Sequence, residues 1–129
     1  MQRNISSAEW RIMQVLWECS EPMTSAEVVQ KTKDERERSP KTIKTLLQRL
    51  VTKGFVDFSV DPIDSRIYHY FSKVSEDECI ERENLNFLSL YYKGNVGGML
   101  ARFIGDSNLT SEQITELTAL LNAKKEDTP

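Results

Sequence analysis

The sequence predicts a mainly α-helical protein with one small β-hairpin: three helices, the hairpin, and then a second region that is wholly helical. Three observations predict it. Four segments place Glu or Gln three positions after a hydroxyl residue, each just ahead of an apolar-periodic run. Ser39-Pro40 precedes the apolar series Ile43, Leu46, Leu47, Leu50 and Val51, whose i, i+3, i+4, i+7, i+8 spacing is one face of a helix. Two runs rich in β-formers, residues 55–60 and 66–71, flank the turn-prone Asp61-Pro62-Ile63-Asp64-Ser65.

The elements follow in order. Ser6-Ser7-Ala8-Glu9 opens a helix over about residues 7–18, expected to bury Trp10, Met13, Leu16 and Trp17 and to end at Ser20-Glu21-Pro22. Thr24-Ser25-Ala26-Glu27 opens a second, over about residues 25–34. The charged link Glu35-Arg36-Glu37-Arg38 leads into the third, where Ser39 is the N-cap and Pro40 brings a pre-set φ to the first helical position. Gly54 stands where a left-handed C-terminal residue belongs, with Lys53 in the last turn. The hairpin then turns through a five-residue tip. Ser75-Glu76-Asp77-Glu78 starts a helix over about residues 76–92, and Lys93-Gly94-Asn95 breaks it. A short helix over about residues 96–104 is followed by the Gly105-Asp106-Ser107-Asn108 break, and Thr110-Ser111-Glu112-Gln113 starts the last one, residues 111–123. The expected organisation is residues 1–74, residues 75–124 and a frayed tail, 125–129.

Composition narrows the functions. With 39% hydrophobic and 29% charged residues the chain reads as globular. It has no apolar run long enough for a bilayer, and residues 1–5 lack a signal-peptide core, so a cytoplasmic protein with no membrane partner is expected. Cys19 and Cys79 have no CxxC or CxC spacing and read as reduced thiols, with no metal and no cofactor. The single histidine, His69, falls in the hairpin, and no phosphate loop, nucleophile motif or ligand cluster points to an enzyme.

The net charge of −3 conceals an asymmetry. Residues 1–74 hold 12 Lys+Arg against 10 Asp+Glu, and residues 75–129 hold 5 against 10. Between Arg38 and Lys53 lie Arg38, Lys41, Lys44, Arg49 and Lys53, with no acid. Affinity for a polyanion follows local charge at the contact, so an acidic body does not exclude it. Off the apolar stripe of the Ser39 helix sit Lys41, Thr42, Lys44, Thr45, Gln48, Arg49 and Thr52. Hydroxyls, amides and cations suit base edges and phosphates when a helix lies in the major groove, and the helix N-terminus suits phosphate oxygens. Any exposed helix shows a polar face. Here the absence of acids over 16 residues, the winged-helix order of helix, helix, helix and hairpin, and Arg66 in the hairpin favour DNA binding.

Particular residues carry a resemblance. Ile5-Ser6-x-Ala8-Glu9-Trp10-x-x-Met13-x-x-Leu16-Trp17 and Ser39-Pro40-Lys41-Thr42-Ile43-Lys44-Thr45-Leu46-Leu47-x-Arg49-Leu50-x-x-Lys53-Gly54 resemble the BlaI/MecI repressors. The likeness continues through Tyr68-x-Tyr70, Phe87-x-x-x-Tyr91-Tyr92-Lys93-Gly94 and Leu109-Thr110-x-Glu112-x-Ile114-x-Glu116-Leu117. It implies an N-terminal winged helix-turn-helix, a C-terminal helical dimerisation region and a homodimer that represses genes from a palindromic double-stranded operator. It also implies DNA contacts from Lys41, Thr42, Thr45 and Arg49, with Ser39 capping the helix close to a phosphate, and induction through a signalling protease that cuts before a C-terminal Phe. Leu100-Ala101-Arg102-Phe103 matches that segment, with Arg102 where family members typically have Asn. The cysteine-rich tail of the copper-responsive branch is missing. The wing tip is longer and more acidic than the resemblance leads one to expect.

The C-terminal region has apolar positions at Leu85, Leu88, Tyr91 and Tyr92, then Met99, Leu100, Phe103 and Ile104, then Ile114, Leu117, Leu120 and Leu121. So short a region buries this much apolar surface most readily against a second copy. Two alternatives stand beside the operator-binding repressor. One is a relative of the copper-responsive branch without its cysteine tail. The other is a dimeric interaction module that does not bind DNA, which would have no need of the acid-free face.

Overall fold

The computed structural model describes residues 4–33 and 38–129. In order along the chain are α1 (Ser7–Glu18), α2 (Ser25–Lys31), α3 (Pro40–Lys53), β1 (Val56–Val60), β2 (Tyr68–Ser72), α4 (Glu76–Tyr92), α5 (Val96–Asp106) and α6 (Ser111–Asp127). The expected end of the second helix at Asp34, and Glu35, Arg36 and Glu37 of the expected link, lie outside the described residues.

Helix starts obey the local rule that reveals them in sequence. Ser6, Thr24 and Thr110 each accept the backbone N–H of the residue three on, whose carboxylate or amide reaches back to the cap. Ser75 and Glu78 make the same reciprocal pair. Two helices outrun expectation. α6 reaches Asp127, so residues 125–127 are helical rather than frayed; Lys124 and Lys125 in the last turn favour the negative end of the helix dipole. α5 continues to Asp106, where Asp106 pairs with Arg102 at 3.6 Å, one turn back.

The chain divides into two compact units, Met1–Arg82 and Glu83–Pro129, with the division inside α4. In the first, α1, α2 and α3 enclose a core of Ile12, Met13, Leu16, Val28, Ile43, Leu47 and Leu50, closed by Phe55, Val56 and Tyr70 of the hairpin. β1 and β2 pair antiparallel, Val56 with Ser72 through Val60 with Tyr68. A third short strand position joins them, because Met23 and Tyr70 exchange backbone hydrogen bonds of 2.9 and 2.7 Å. The start of α4 belongs to this unit: Cys79 is buried and the Arg82 guanidinium lies 5.5 Å from the Phe55 ring centre.

The expected stripe of α1 needs correction. Met13 and Leu16 are buried, but so are Ile12 and Val15, while Trp10 and Trp17 are half-buried. The two indoles meet edge to face at 5.4 Å, and the Trp17 N–H donates to Ser72 Oγ and the Val74 carbonyl. A large ring with a donor settles at the margin, where its N–H finds acceptors, and the branched aliphatic residues fill the centre.

Within the second unit no residue of α5 or α6 is buried. Phe87 approaches Phe103 and Tyr91, and Tyr92 approaches Phe103, with ring centres 4.9–6.3 Å apart. Asn95 caps α5 by accepting the Gly98 N–H at 3.0 Å, and a Cβ at Gly98 would stand 2.7 Å from Asn95 Nδ2. Gly98 therefore leaves room for the capping side chain.

Candidate nucleic-acid interface

α3 is built to hold one face in and one face out. Ile43, Leu46, Leu47 and Leu50 are buried, which anchors the helix over its whole length. Ser39 caps it by accepting the Thr42 N–H at 3.1 Å, and Gly54 ends it at φ 88°, a left-handed conformation that a side chain would strain. All of Ser39, Lys41, Thr42, Lys44, Thr45, Gln48 and Arg49 are exposed on the other side. The middle of that side is the ridge Lys41, Thr45, Gln48 and Thr52, spaced i, i+4, i+7 and i+11. Among the described residues no carboxylate pairs with Lys41, Lys44 or Arg49.

The cation count of the segment changes on folding. Lys53 lies 2.6 Å from Glu9 Oε1 and also donates to the Asn4 carbonyl, so it ties α3 to α1 and does not join the open face. Glu9 is 1% exposed, and among the described residues its Oε2 has no hydrogen-bond partner. Burial pushes the Glu9 carboxyl up, but the Lys53 hydrogen bond, the two bonds with Ser6 and the Lys53 charge together hold it below the ordinary value. Arg38 is half-buried beside the N-cap. The open face thus keeps three cations, Lys41, Lys44 and Arg49.

Beside Lys44 and Gln48 runs a cleft of about 390 Å³, whose other walls are Thr24, the N-cap of α2, Ser25 and Ala26 of its first turn, and Arg66, Ile67, Tyr68 and Tyr70 of the hairpin. The hairpin tip is longer than expected. Strand pairing stops at Val60 with Tyr68, and Asp61 N–H donates to the Ile67 carbonyl, so Arg66 and Ile67 are tip residues rather than strand. The cause is local: Asp61 Oδ2 accepts the N–H groups of Ile63 and Asp64, and Asp64 Oδ1 accepts that of Arg66, which gives the backbone partners outside the ladder.

Arg66 is exposed, as a DNA-facing cation would be, but Nε and Nη2 fork onto the Asp64 carboxylate at 3.0 Å each. That bond holds Asp64 below, and Arg66 above, their ordinary values. His69 Nε2 stands 2.8 Å from Asp61 Oδ1. This hydrogen bond, followed by the two backbone N–H bonds, keeps Asp61 below the carboxylate range. The sequence reading found neither the Asp64–Arg66 pair, whose one local signal is the short Asp64-x-Arg66 spacing, nor the Glu9–Lys53 pair, which has no local signal.

In the second unit taken by itself, Leu85, Tyr91, Leu100, Phe103, Ile104, Ile114, Leu117, Leu120 and Leu121 are exposed, and Leu88, Tyr92 and Met99 are half-buried. Leu90, which the sequence reading missed, is 73% exposed. Arg102 and Phe103 lie within α5. Among the described residues no group of three or more His, Cys, Asp or Glu is placed to hold a metal, and no helix is long and apolar enough to cross a membrane.

Comparison with known proteins places these features. The model of the family described as penicillinase repressor matches residues 5–123. The methicillin resistance regulatory protein MecI of Mammaliicoccus sciuri is 34% identical over 120 residues, 93% of this chain and 94% of its own. The penicillinase repressor of Bacillus licheniformis is 34% identical over 126 residues, 95% of each chain. The solution structure of the DNA-binding domain of the repressor BlaI superposes with a TM-score of 0.51 at 31% identity, covering 60% of this chain and 93% of that one.

Proposed function

The chain belongs to the penicillinase repressor family, and from that premise we propose that it is a DNA-binding transcriptional repressor acting as a homodimer on a palindromic operator. The open face of α3 carries the reading. Three cations, an amide and three hydroxyl residues stand on a helix anchored by four buried aliphatics, with no acid among them. Such a helix fits the major groove; Lys41 and Arg49 hold phosphates or guanine, and Gln48 suits adenine. The protein is a binder rather than an enzyme, and it works in the cytoplasm, where the operator is.

Pairing of C-terminal units follows from their exposed apolar surface. Leu90, Leu120 and Tyr91 are 73%, 66% and 65% exposed, an arrangement that a second copy relieves. Two-fold symmetry then matches a two-fold site, with half-sites separated by whole helical turns. Repression is relieved when this pairing is lost, through a signalling protease acting at Arg102-Phe103 or through another signal at the C-terminal unit. Arg102 is 72% exposed, but the bond sits in a helix, so cutting requires α5 to open locally.

The test is the double variant Lys41→Ala with Arg49→Ala. Operator affinity should fall at least about 100-fold, the order expected for losing two direct contacts per protomer, while sedimentation still reports a dimer. Unchanged duplex binding would rule out α3 as the reader.

A further inference from the structure

Resting on the reading of α3 as the groove helix, we propose that Thr45 recognises a thymine through its methyl group and not through its hydroxyl. Thr45 occupies the middle of the outward ridge, with Lys41 one turn before it and Gln48 and Arg49 one turn after. Its hydroxyl has a single hydrogen, and that hydrogen is engaged: Oγ1 donates to the Lys41 carbonyl at 3.0 Å. Of the neighbouring threonines, Thr52 behaves alike, while in the bond of Thr42 either oxygen can donate. Thr52 Oγ1 donates to the Gln48 carbonyl at 3.0 Å, and Thr42 Oγ1 shares a 2.9 Å bond with Ser39 Oγ.

The Thr45 hydroxyl is therefore not a donor for the acceptor atoms of guanine and thymine, whereas Lys41, Lys44, Gln48 and Arg49 are. At Thr45 the oxygen is held against the helix backbone and the residue is exposed, which leaves the other branch of Cβ, the methyl, to meet a base. An apolar group thus stands within a ring of polar donors. Only one base offers it an apolar counterpart in the major groove, the C5-methyl of thymine. Acceptance of an amino hydrogen from adenine or cytosine by the Thr45 oxygen is the competing mode, and the two are separable by chemistry.

The experiment uses the full chain and the duplex that the wild-type protein selects from a randomised pool. Each thymine is replaced in turn by deoxyuridine, which deletes the C5-methyl alone. One thymine per half-site should weaken wild-type binding about fourfold on replacement, the order expected for uncovering one methyl group. Thr45→Val should show the same penalty at that position, and Thr45→Ser should show none. A penalty that persists in Thr45→Ser or vanishes in Thr45→Val overturns the proposal, as does a scan in which no thymine matters. The double variant Lys41→Ala with Arg49→Ala is measured on the same duplex. If it binds like wild type, the α3 reading itself fails. If it loses binding while the scan is silent, only the methyl assignment falls.

Discussion

The Lys53 ammonium lies 2.6 Å from the Glu9 carboxylate across 44 residues of chain, and it joins the last turn of α3 to the capping box of α1. The same oxygen accepts the Ser6 N–H at 2.9 Å, so one buried atom serves both a helix cap and an interhelical tie. The orientation of α3 on its scaffold thus depends on a residue of the first helix.

Lys53→Ala should destabilise the N-terminal unit by roughly 3 kcal/mol, because it leaves a buried carboxylate without its cation. Urea unfolding followed by Trp10 and Trp17 fluorescence measures it. In the wild type the Glu9 carboxyl is held below its ordinary value, so its contribution is complete above the carboxylate range and fades as pH falls through the lowered value. Without Lys53 burial is offset by the two Ser6 bonds alone, so the Glu9 carboxyl rises and less stability is lost as it is protonated. The deficit should therefore shrink between about pH 7 and pH 4; a deficit constant over that range would contradict the ion-pair account.

Operator binding should be strongly salt-dependent, with log K falling by about five per decade of salt if Lys41, Lys44 and Arg49 of both protomers each meet a phosphate. Lys44→Ala should reduce that slope by about two. Fluorescence anisotropy at several salt concentrations is sufficient, and a flat response would exclude this mode of binding.

Asp64→Asn should tighten DNA binding by about three- to tenfold at low salt, and steepen the salt dependence, because it removes one negative charge from the wing and frees the Arg66 fork from its 3.0 Å partner. Equal affinities for the variant and the wild type would show that the wing tip lies away from the duplex.

On the proposed pairing, Leu120→Glu with Leu121→Glu should leave the chain monomeric, since both side chains are more than half exposed in the single chain and would carry charge into the paired surface. Sedimentation velocity reads the mass, and operator affinity should fall with it. A double variant that stays dimeric would place the interface on other residues.

What the sequence by itself determined is everything that hydrogen bonds within four residues and helical spacing control. Ser6, Thr24, Ser75 and Thr110 locate helix starts because a hydroxyl and a carboxylate or amide three residues apart satisfy one turn of backbone. Ile43, Leu46, Leu47 and Leu50 define the inner face of α3, and so Lys41, Thr45 and Gln48 define the outer one. Only the tertiary structure decided that Glu9 is buried, that Lys53 leaves the cationic face to meet it, that Met23 extends the hairpin through Tyr70, and that Trp17 yields the core centre to Ile12 and finds its acceptors at Ser72 and Val74. Those pairs are dozens of residues apart, and whether they meet depends on how the packed helices close the chain, which no local spacing encodes.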